Sequence, residues 1–384
     1  MAKWDWLEKP AAAPTWMFWV RVLAKAGILF IAFNLLFAAL TPLETLGRLS
    51  LYNRAVPGRD RLPYGENSAS YSLSLNNVPA MFASHTVSGG KSANEYRVLL
   101  IGDSGTWGWL LENEGTLSAQ LNALDGETAD GRRITVYNLA YPIMSLTKDL
   151  LLLDYAMRYE PDMIVWLVTL QSFDRSQQLD PPLVQNNPGR IRDLIAAYDL
   201  NLDAEYPDFV DPSFIERTIV GQRRELADLL RYQVYGFSWA ATGIDQVIDE
   251  YNLRSSDFDE DLSWQDYEEP IPLTSDELAF DVLAAGIQRT GAAPILLINE
   301  PIFISAGENS DLRYNFWYPR WAYDDYRALL TSQAGANDWT LLDLWDALPG
   351  EAFTDSPVHY TPDGARQLAE RLLPAIQVLA GETG

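Results

Sequence analysis

The stretch "RVLLIGDSGTWGW", residues 97 to 109, decides how the rest of the chain is read. Residues 98–101 form an unbroken apolar run, the pattern of a strand covered on both faces. The run stops on Gly102, Asp103, Ser104 and Gly105, residue types that build turns and cap helices. Two readings are open: the four residues merely turn the chain, or a serine is held at a strand end for chemistry.

Downstream, the same rhythm repeats. Residues 116–124 read as a helix, 134–138 as a second strand, and "TKDLLLLDYAMRYE" (147–160) as a helix. "DMIVWLV" (162–168), 294–298 within "APILLIN", and "WTLLDL" (339–344) supply three more strands, and "TPDGARQLAERLLPAIQVLA" (361–380) a closing helix. Continuous apolar strands between amphipathic helices predict an α/β fold with a doubly wound, parallel, five-stranded sheet flanked by helices. Such a sheet binds its ligands at the carboxyl ends of its strands, which is where Ser104 falls.

Residues 175–270 break the rhythm and read as an inserted cap region. They hold one helix in "PSFIERTIVGQRRELADLLRYQVYG" (212–236) and an acidic tail, "SSDFDEDLSWQDYEEP" (255–270), whose plain reading is a solvated loop. The chain therefore divides into an N-terminal tail (1–15), an apolar anchor (16–43), a Pro-, Asn-, Ser- and Gly-rich connector (44–94) and the α/β domain (95–384).

The anchor rests on "AGILFIAFNLLFAALTPL" (26–43), which carries no charge and one amide, Asn34. "TWMFWVRVLAK" precedes it, with Trp16 and Trp19 at interface depth and Arg21 and Lys25 placed to snorkel. About 20 apolar residues cross a bilayer, so 16–43 is read as an uncleaved transmembrane helix. A cleaved signal peptide and a buried soluble helix are the competing readings; against the first, Phe37-Ala38-Ala39 is a poor cleavage site and the polar lead is long for a signal. Lys3, Lys9, Arg21 and Lys25 precede the span and Arg48, Arg54, Arg59 and Arg61 come after it, so flanking charge does not choose a topology. A first hydrophobic segment usually exports the domain behind it, which places the α/β domain outside the cytoplasm.

Composition narrows the chemistry. A net charge of −25 and a pI near 4.3 exclude a nucleic-acid partner, which needs a cationic surface. There are no cysteines, so thiolate nucleophiles, disulfides and Cys-ligated zinc are excluded, and the chain suits an oxidising compartment. Only two histidines occur, His85 and His359, so an imidazole base must be one of them. Serine is a weak nucleophile until a base takes its proton. His359 lies in "FTDSPVHYTPDGARQL", just before the closing helix, and Asp355, four residues earlier, is placed to hold its tautomer. Taken singly, Gly-Asp-Ser is a common turn, Asp103 a turn cap and a late histidine a surface residue.

Taken jointly, these blocks resemble the SGNH (GDSL-type) hydrolase superfamily over residues 95–172 and 290–380. "VLLIGDSGTWGW" is similar to its first block, with Ser104 as nucleophile. "DSPVHYTPDGARQLAERL" is similar to its last, with His359 as base and Asp355 as acid. "YNLAYPIMSLTKDLLLL" and "PDMIVWLVTLQSFD" resemble the second and third blocks. The sequence departs from the pattern at Ile143, where the second block has glycine, and at Thr169-Leu170-Gln171-Ser172, where the third has Gly-x-Asn-Asp. The acid also stands four residues before the histidine rather than three, with Pro357 between them.

The resemblance implies an oxyanion hole of the Ser104 and Ile143 N–H groups with the Gln171 amide. It implies an acyl-enzyme on Ser104 and no metal or organic cofactor. Membrane-tethered relatives imply a bacterial envelope esterase or O-acyltransferase working on the acyl esters, acetyl foremost, of a polysaccharide, beside a membrane-bound O-acyltransferase partner. A degenerate binding or scaffold subunit and a lipid esterase are the alternative functions. The aromatic segment 299–327 is read chiefly as core, with Arg313, Asn315 and Arg320 as candidate polar contacts if it forms a platform for a sugar or acyl chain. His85 has no counterpart in the family pattern and is read as structural.

Overall fold

The computed structural model describes residues 14–64, 76–242 and 250–382. Most of the N-terminal tail (through residue 13), connector residues 65–75 and insertion residues 243–249 lie outside the described residues, as do 383–384. The chain divides into two units, Met1–Leu43 with Pro212–Ala227, and Glu44–Asp211 with Asp228–Gly384.

In the larger unit the five strands are β1 (Glu95–Ile101), β2 (Arg133–Asn138), β3 (Met163–Val168), β4 (Ile295–Asn299) and β5 (Leu341–Asp343). All neighbours pair in parallel in the order β2-β1-β3-β4-β5, the doubly wound order that reverses between β1 and β3. Leu99, on an interior strand, pairs with Tyr137 on one side and Ile164 on the other.

The apolar runs are continuous because both faces are covered, and alternate residues serve alternate faces. Val98, Leu100, Val136, Met163, Val165, Leu167 and Ile298 pack with Leu117 and Leu121 of the helix Leu117–Ala123 and with Leu368, Leu372 and Ile376 of the helix Pro362–Glu382. On the other face the helices Leu146–Ala156 and Phe280–Thr290 lie side by side. There Trp166 of β3 sits so close to Gly286 that a Cβ on that glycine would come within 2.4 Å of the indole.

Two sequence expectations need revising. The connector is not irregular throughout: Asn77 caps a helix, Val78–Ser84, in which every residue is buried. The helix expected from residue 212 begins only at Arg223 and runs to Thr242. Residues 214–222 are turns instead, because the chain folds back until a Cβ on Gly221 would lie 2.2 Å from the Glu216 carbonyl oxygen.

In the smaller unit, Trp16–Leu40 is a single helix of 25 residues, capped by the Thr15 hydroxyl, and long and apolar enough to cross a membrane.

His85 is structural, as its sequence context suggested. It is fully buried, with Nδ1 accepting from the Val87 N–H at 3.0 Å and Nε2 donating to the Asp60 carbonyl at 3.1 Å. Burial pushes its pKa from 6.5 down to about 4. Between those values the unfolded chain binds the extra proton, so stability is full above pH 6.5 and falls as pH drops toward 4. The loss is about 3 kcal/mol at most. In detergent-solubilised chain, denaturant titrations from pH 7 to pH 4 should show a steeper fall for wild type than for His85→Gln; parallel curves would contradict the buried neutral imidazole.

Candidate active site

The sheet order delivers four residues, three of them expected, to its carboxyl edge. Ser104 lies just past β1, Ile143 past the end of β2, Gln171 past the end of β3 and Glu300 past the end of β4. Ser104 opens a one-turn helix, Ser104–Trp107, capped by Asp103, whose Oδ1 accepts from the Gly105 N–H at 2.8 Å. Asn138, the last residue of β2, fixes this turn from the side, donating to the carbonyls of Thr106 and Trp107 at 3.1 and 3.2 Å.

The loop before the last helix brings the other two groups. Thr354 N–H donates to the His359 carbonyl at 2.8 Å and Phe353 bridges Tyr360, closing residues 354–359 into a tight turn. Within that turn the four-residue spacing suffices: His359 Nδ1 lies 2.8 Å from Asp355 Oδ1. His359 Nε2 lies 2.8 Å from Ser104 Oγ, completing an unbroken hydrogen-bonded relay. The Thr354 hydroxyl adds a second donor to Asp355 Oδ1 at 3.1 Å. Burial works against the Asp355 charge, but the His359 contact and that hydroxyl outweigh it, and the carboxyl stays below its ordinary 3.8.

Contact between the two loops depends on Gly105. A Cβ there would lie 2.3 Å from the Val358 carbonyl oxygen, so any side chain would push His359 away from Ser104. Arg254, from the insertion, secures the 354–359 loop. Its guanidinium donates to the carbonyls of Phe353 at 2.6 Å and Thr354 at 3.0 Å, and stacks 3.8 Å from the Phe303 ring.

Ile143 departs from the glycine of the resembling block in side chain but not in backbone. Its φ of 83° lies in the left-handed region that favours glycine, and for a β-branched residue this is an outlier. Such a conformation costs about 1–3 kcal/mol and persists only where surrounding contacts impose it. Lys148 supplies that constraint: fully buried, its ammonium donates to the carbonyls of Gly102 and Tyr141, each at 2.8 Å, and pairs with Asp149. This ties the β1 end to the loop that carries Ile143. Among the described residues, neither the Ser104 nor the Ile143 N–H has a hydrogen-bond acceptor.

The structure does not bring the Gln171 amide to Ser104. Gln171 Nε2 donates to Gln177 Oε1 at 3.0 Å and its Oε1 accepts from Gln265 at 2.6 Å. Gln177 bonds Gln265 in turn, closing a ring of three amides. The aromatic segment after β4 is mainly core, with Tyr318, Tyr323 and Tyr326 fully buried. Its polar candidates are spent internally: Arg313 on the carbonyls of Asp261, Ser263 and Phe316, Asn315 on Phe303 and the 317–318 backbone, Arg320 on Ser310. The aromatic wall beside the relay comes from elsewhere. Trp109 lies against the His359 ring at 5.9 Å, and Tyr64 links Trp107, Trp109 and Tyr141 by edge contacts.

Glu300 is the group that sequence reasoning missed. Buried completely after β4, its carboxyl contacts Asp103, and its Oε2 accepts from the Tyr360 hydroxyl at 3.2 Å. Burial, and next the charge of Asp103, push its pKa well above the ordinary carboxylate range. Its Oε1 meets no N–H or O–H donor among the described residues. Burial and the neighbouring Asp103 carboxyl thus both disfavour the charged form of Glu300. A charge directly after the apolar run "ILLIN" was the available signal. Among the described residues no group of three His, Cys, Asp or Glu side chains is placed to hold a metal ion.

No family model matches the chain, and no curated protein does. Solved structures that resemble it include a lipase/acylhydrolase from Enterococcus faecalis, 14% identical with a TM-score of 0.36, the match covering 73% of this chain and 95% of that one. The aryl esterase of M. smegmatis is 12% identical with a TM-score of 0.34, covering 74% and 99%. A carbohydrate acetylesterase from Sinorhizobium meliloti is 11% identical with a TM-score of 0.33, also covering 74% and 99%. Likeness this slight carries no activity across; the chemistry has to come from the side chains.

The role of Glu300 is separable by substitution. Glu300→Gln places a neutral amide donor toward Asp103 and should hold kcat/KM for an aryl acetate near wild type. Glu300→Leu removes every polar atom from that position and should cost about tenfold to a hundredfold. Equal losses in two folded variants, checked by circular dichroism, would show that the donor is immaterial.

Proposed function

We propose that the chain is a membrane-anchored serine esterase or O-acyltransferase of the SGNH type, its catalytic domain outside the cytoplasm and its substrate the acyl esters of an envelope glycan. The observation that carries the reaction class is the relay Ser104 Oγ–His359–Asp355, with both links at 2.8 Å. In this reading Ser104 attacks the ester carbonyl while His359 Nε2 takes its proton. Asp355 holds the Nδ1–H tautomer and offsets the imidazolium charge. The Ser104 and Ile143 N–H groups receive the oxyanion, and Gln171 adds a third donor when its amide turns from Gln177. His359 then returns the proton to the leaving alcohol. Water or a sugar hydroxyl, deprotonated by the same imidazole, clears the acyl group from Ser104.

The wall of Trp109, Trp107 and Tyr64 supports a ring-bearing substrate, since aromatic faces pack the apolar faces of sugars and acyl chains. The helix Trp16–Leu40 supports the anchor. A membrane-bound O-acyltransferase would be the natural acyl source for the transferase mode.

Kinetics on an aryl acetate test the relay. Ser104→Ala and His359→Ala should each lower kcat by about a millionfold, and Asp355→Asn by about ten-thousandfold through the wrong tautomer. Supplying acetylated and free glycan oligomers then separates the two modes: released acetate marks an esterase, and mass gain on the free oligomer a transferase. Wild type no faster than Ser104→Ala on any ester would instead mark a binding subunit.

A further inference from the structure

The turn-rich segment 212–222 has no part in the relay, yet it shares its unit with the apolar helix Trp16–Leu40. Its contact with that helix is specific. Asn34, the one amide in the apolar run, is buried; its Oδ1 accepts from the Val220 N–H at 3.3 Å and its Nδ2 donates to the Phe30 carbonyl at 2.9 Å. Ala38, one turn further on, is buried as well, while Leu35, Leu36 and Leu40 stay exposed. At about 1.5 Å per residue, Asn34 stands about 9 Å of helix short of Leu40. A group bonded there sits below the helix end, at the depth of roughly 5–10 Å that interfacial elements reach.

The segment's own surface fits that depth. Ile215 is 76% exposed, Val220 49% and Phe214 45%, a set of large apolar side chains left open among the described residues, with the Arg217 guanidinium 5.8 Å from the Phe214 ring. Ser213 and Glu216 close a capping box beneath them, the Ser213 N–H donating to Glu216 Oε2 at 2.8 Å, and the Gly221 fold-back fixes the loop's shape. Pro212–Ala227 holds three arginines, Arg217, Arg223 and Arg224, against two glutamates, in a chain with a net charge of −25. Backbone N–H groups within hydrocarbon need an internal acceptor, and Asn34 supplies one to Val220.

We infer that residues 212–222 form a lipid-inserted wedge, seated beside the C-terminal third of the span, with Phe214, Ile215 and Val220 among acyl chains and the arginines at the phosphate level. The occupant of this surface is the bilayer itself. This rests on reading Trp16–Leu40 as a membrane span.

The chain has no cysteine, so one introduced thiol is a unique reporter. Ile215→Cys and, as a water-exposed control, Ala336→Cys are labelled with an environment-sensitive nitrobenzoxadiazole dye. The full chain is then reconstituted into phosphatidylcholine vesicles containing a fifth anionic lipid (about 20%, enough to engage arginines). The expected result is blue-shifted emission at 215, quenched by lipids with a nitroxide near the headgroup, and water-like emission at 336. Water-like emission at 215 in a chain that stays with the vesicles through alkaline carbonate overturns the wedge and leaves the anchor standing. Blue-shifted but unquenched emission overturns it too, since a protein surface then covers the segment. Release of the chain by carbonate overturns the anchor reading and the wedge with it.

Discussion

The hydrogen bond between Ser104 and His359 joins groups 255 residues apart, and the arrangement of the carboxyl edge depends on it. Parallel strands put every strand's carboxyl end on the same side, so a serine after β1 and a loop before the last helix meet without a long excursion of the chain. Meeting at bonding distance demands more than topology. The backbones at Gly105 and Val358 approach until there is no room for a single carbon, and glycine is the one residue that permits it.

Ionisable groups buried under that edge hold it in place. Lys148 binds two carbonyls from different strand ends, and Glu300 meets Asp103 beneath the Ser104 turn and Tyr360 next to His359. Buried charge is costly unless it is paired and hydrogen-bonded, so these groups fix one arrangement rather than add stability. The strained backbone of Ile143 fits the same picture: its loop is held by Lys148, and the strain leaves an N–H aimed at no acceptor among the described residues. From that free donor the oxyanion role is proposed.

Much of this was legible in the sequence, and the exceptions have physical reasons. All five strands could be read because a doubly covered strand is apolar at every position, a pattern few other elements show. Ser104, His359 and Asp355 could be paired because strand-end position and chain order are both local facts. The start of the helix at Arg223 was not legible, because amphipathic spacing continues back through 212–222 while a backbone fold at Gly221 interrupts it. Gln171 was expected at the hole, but its amide is claimed by Gln177 and Gln265, residues whose proximity only the fold reveals. Glu300 and Lys148 look like ordinary surface charges on paper, since burial of a charge is a property of its surroundings.

The proposed function stands on Ser104 being an activated nucleophile, made so by His359 across the Gly105 contact. A fluorophosphonate of low intrinsic reactivity tests it without choosing a substrate, with peptide mass mapping after brief exposure of the full chain at neutral pH. A single adduct is expected, on the peptide bearing Ser104, lost in His359→Ala and in Gly105→Val while both variants remain folded. An unmodified Ser104 in the wild type, or labelling that persists without His359, would contradict it.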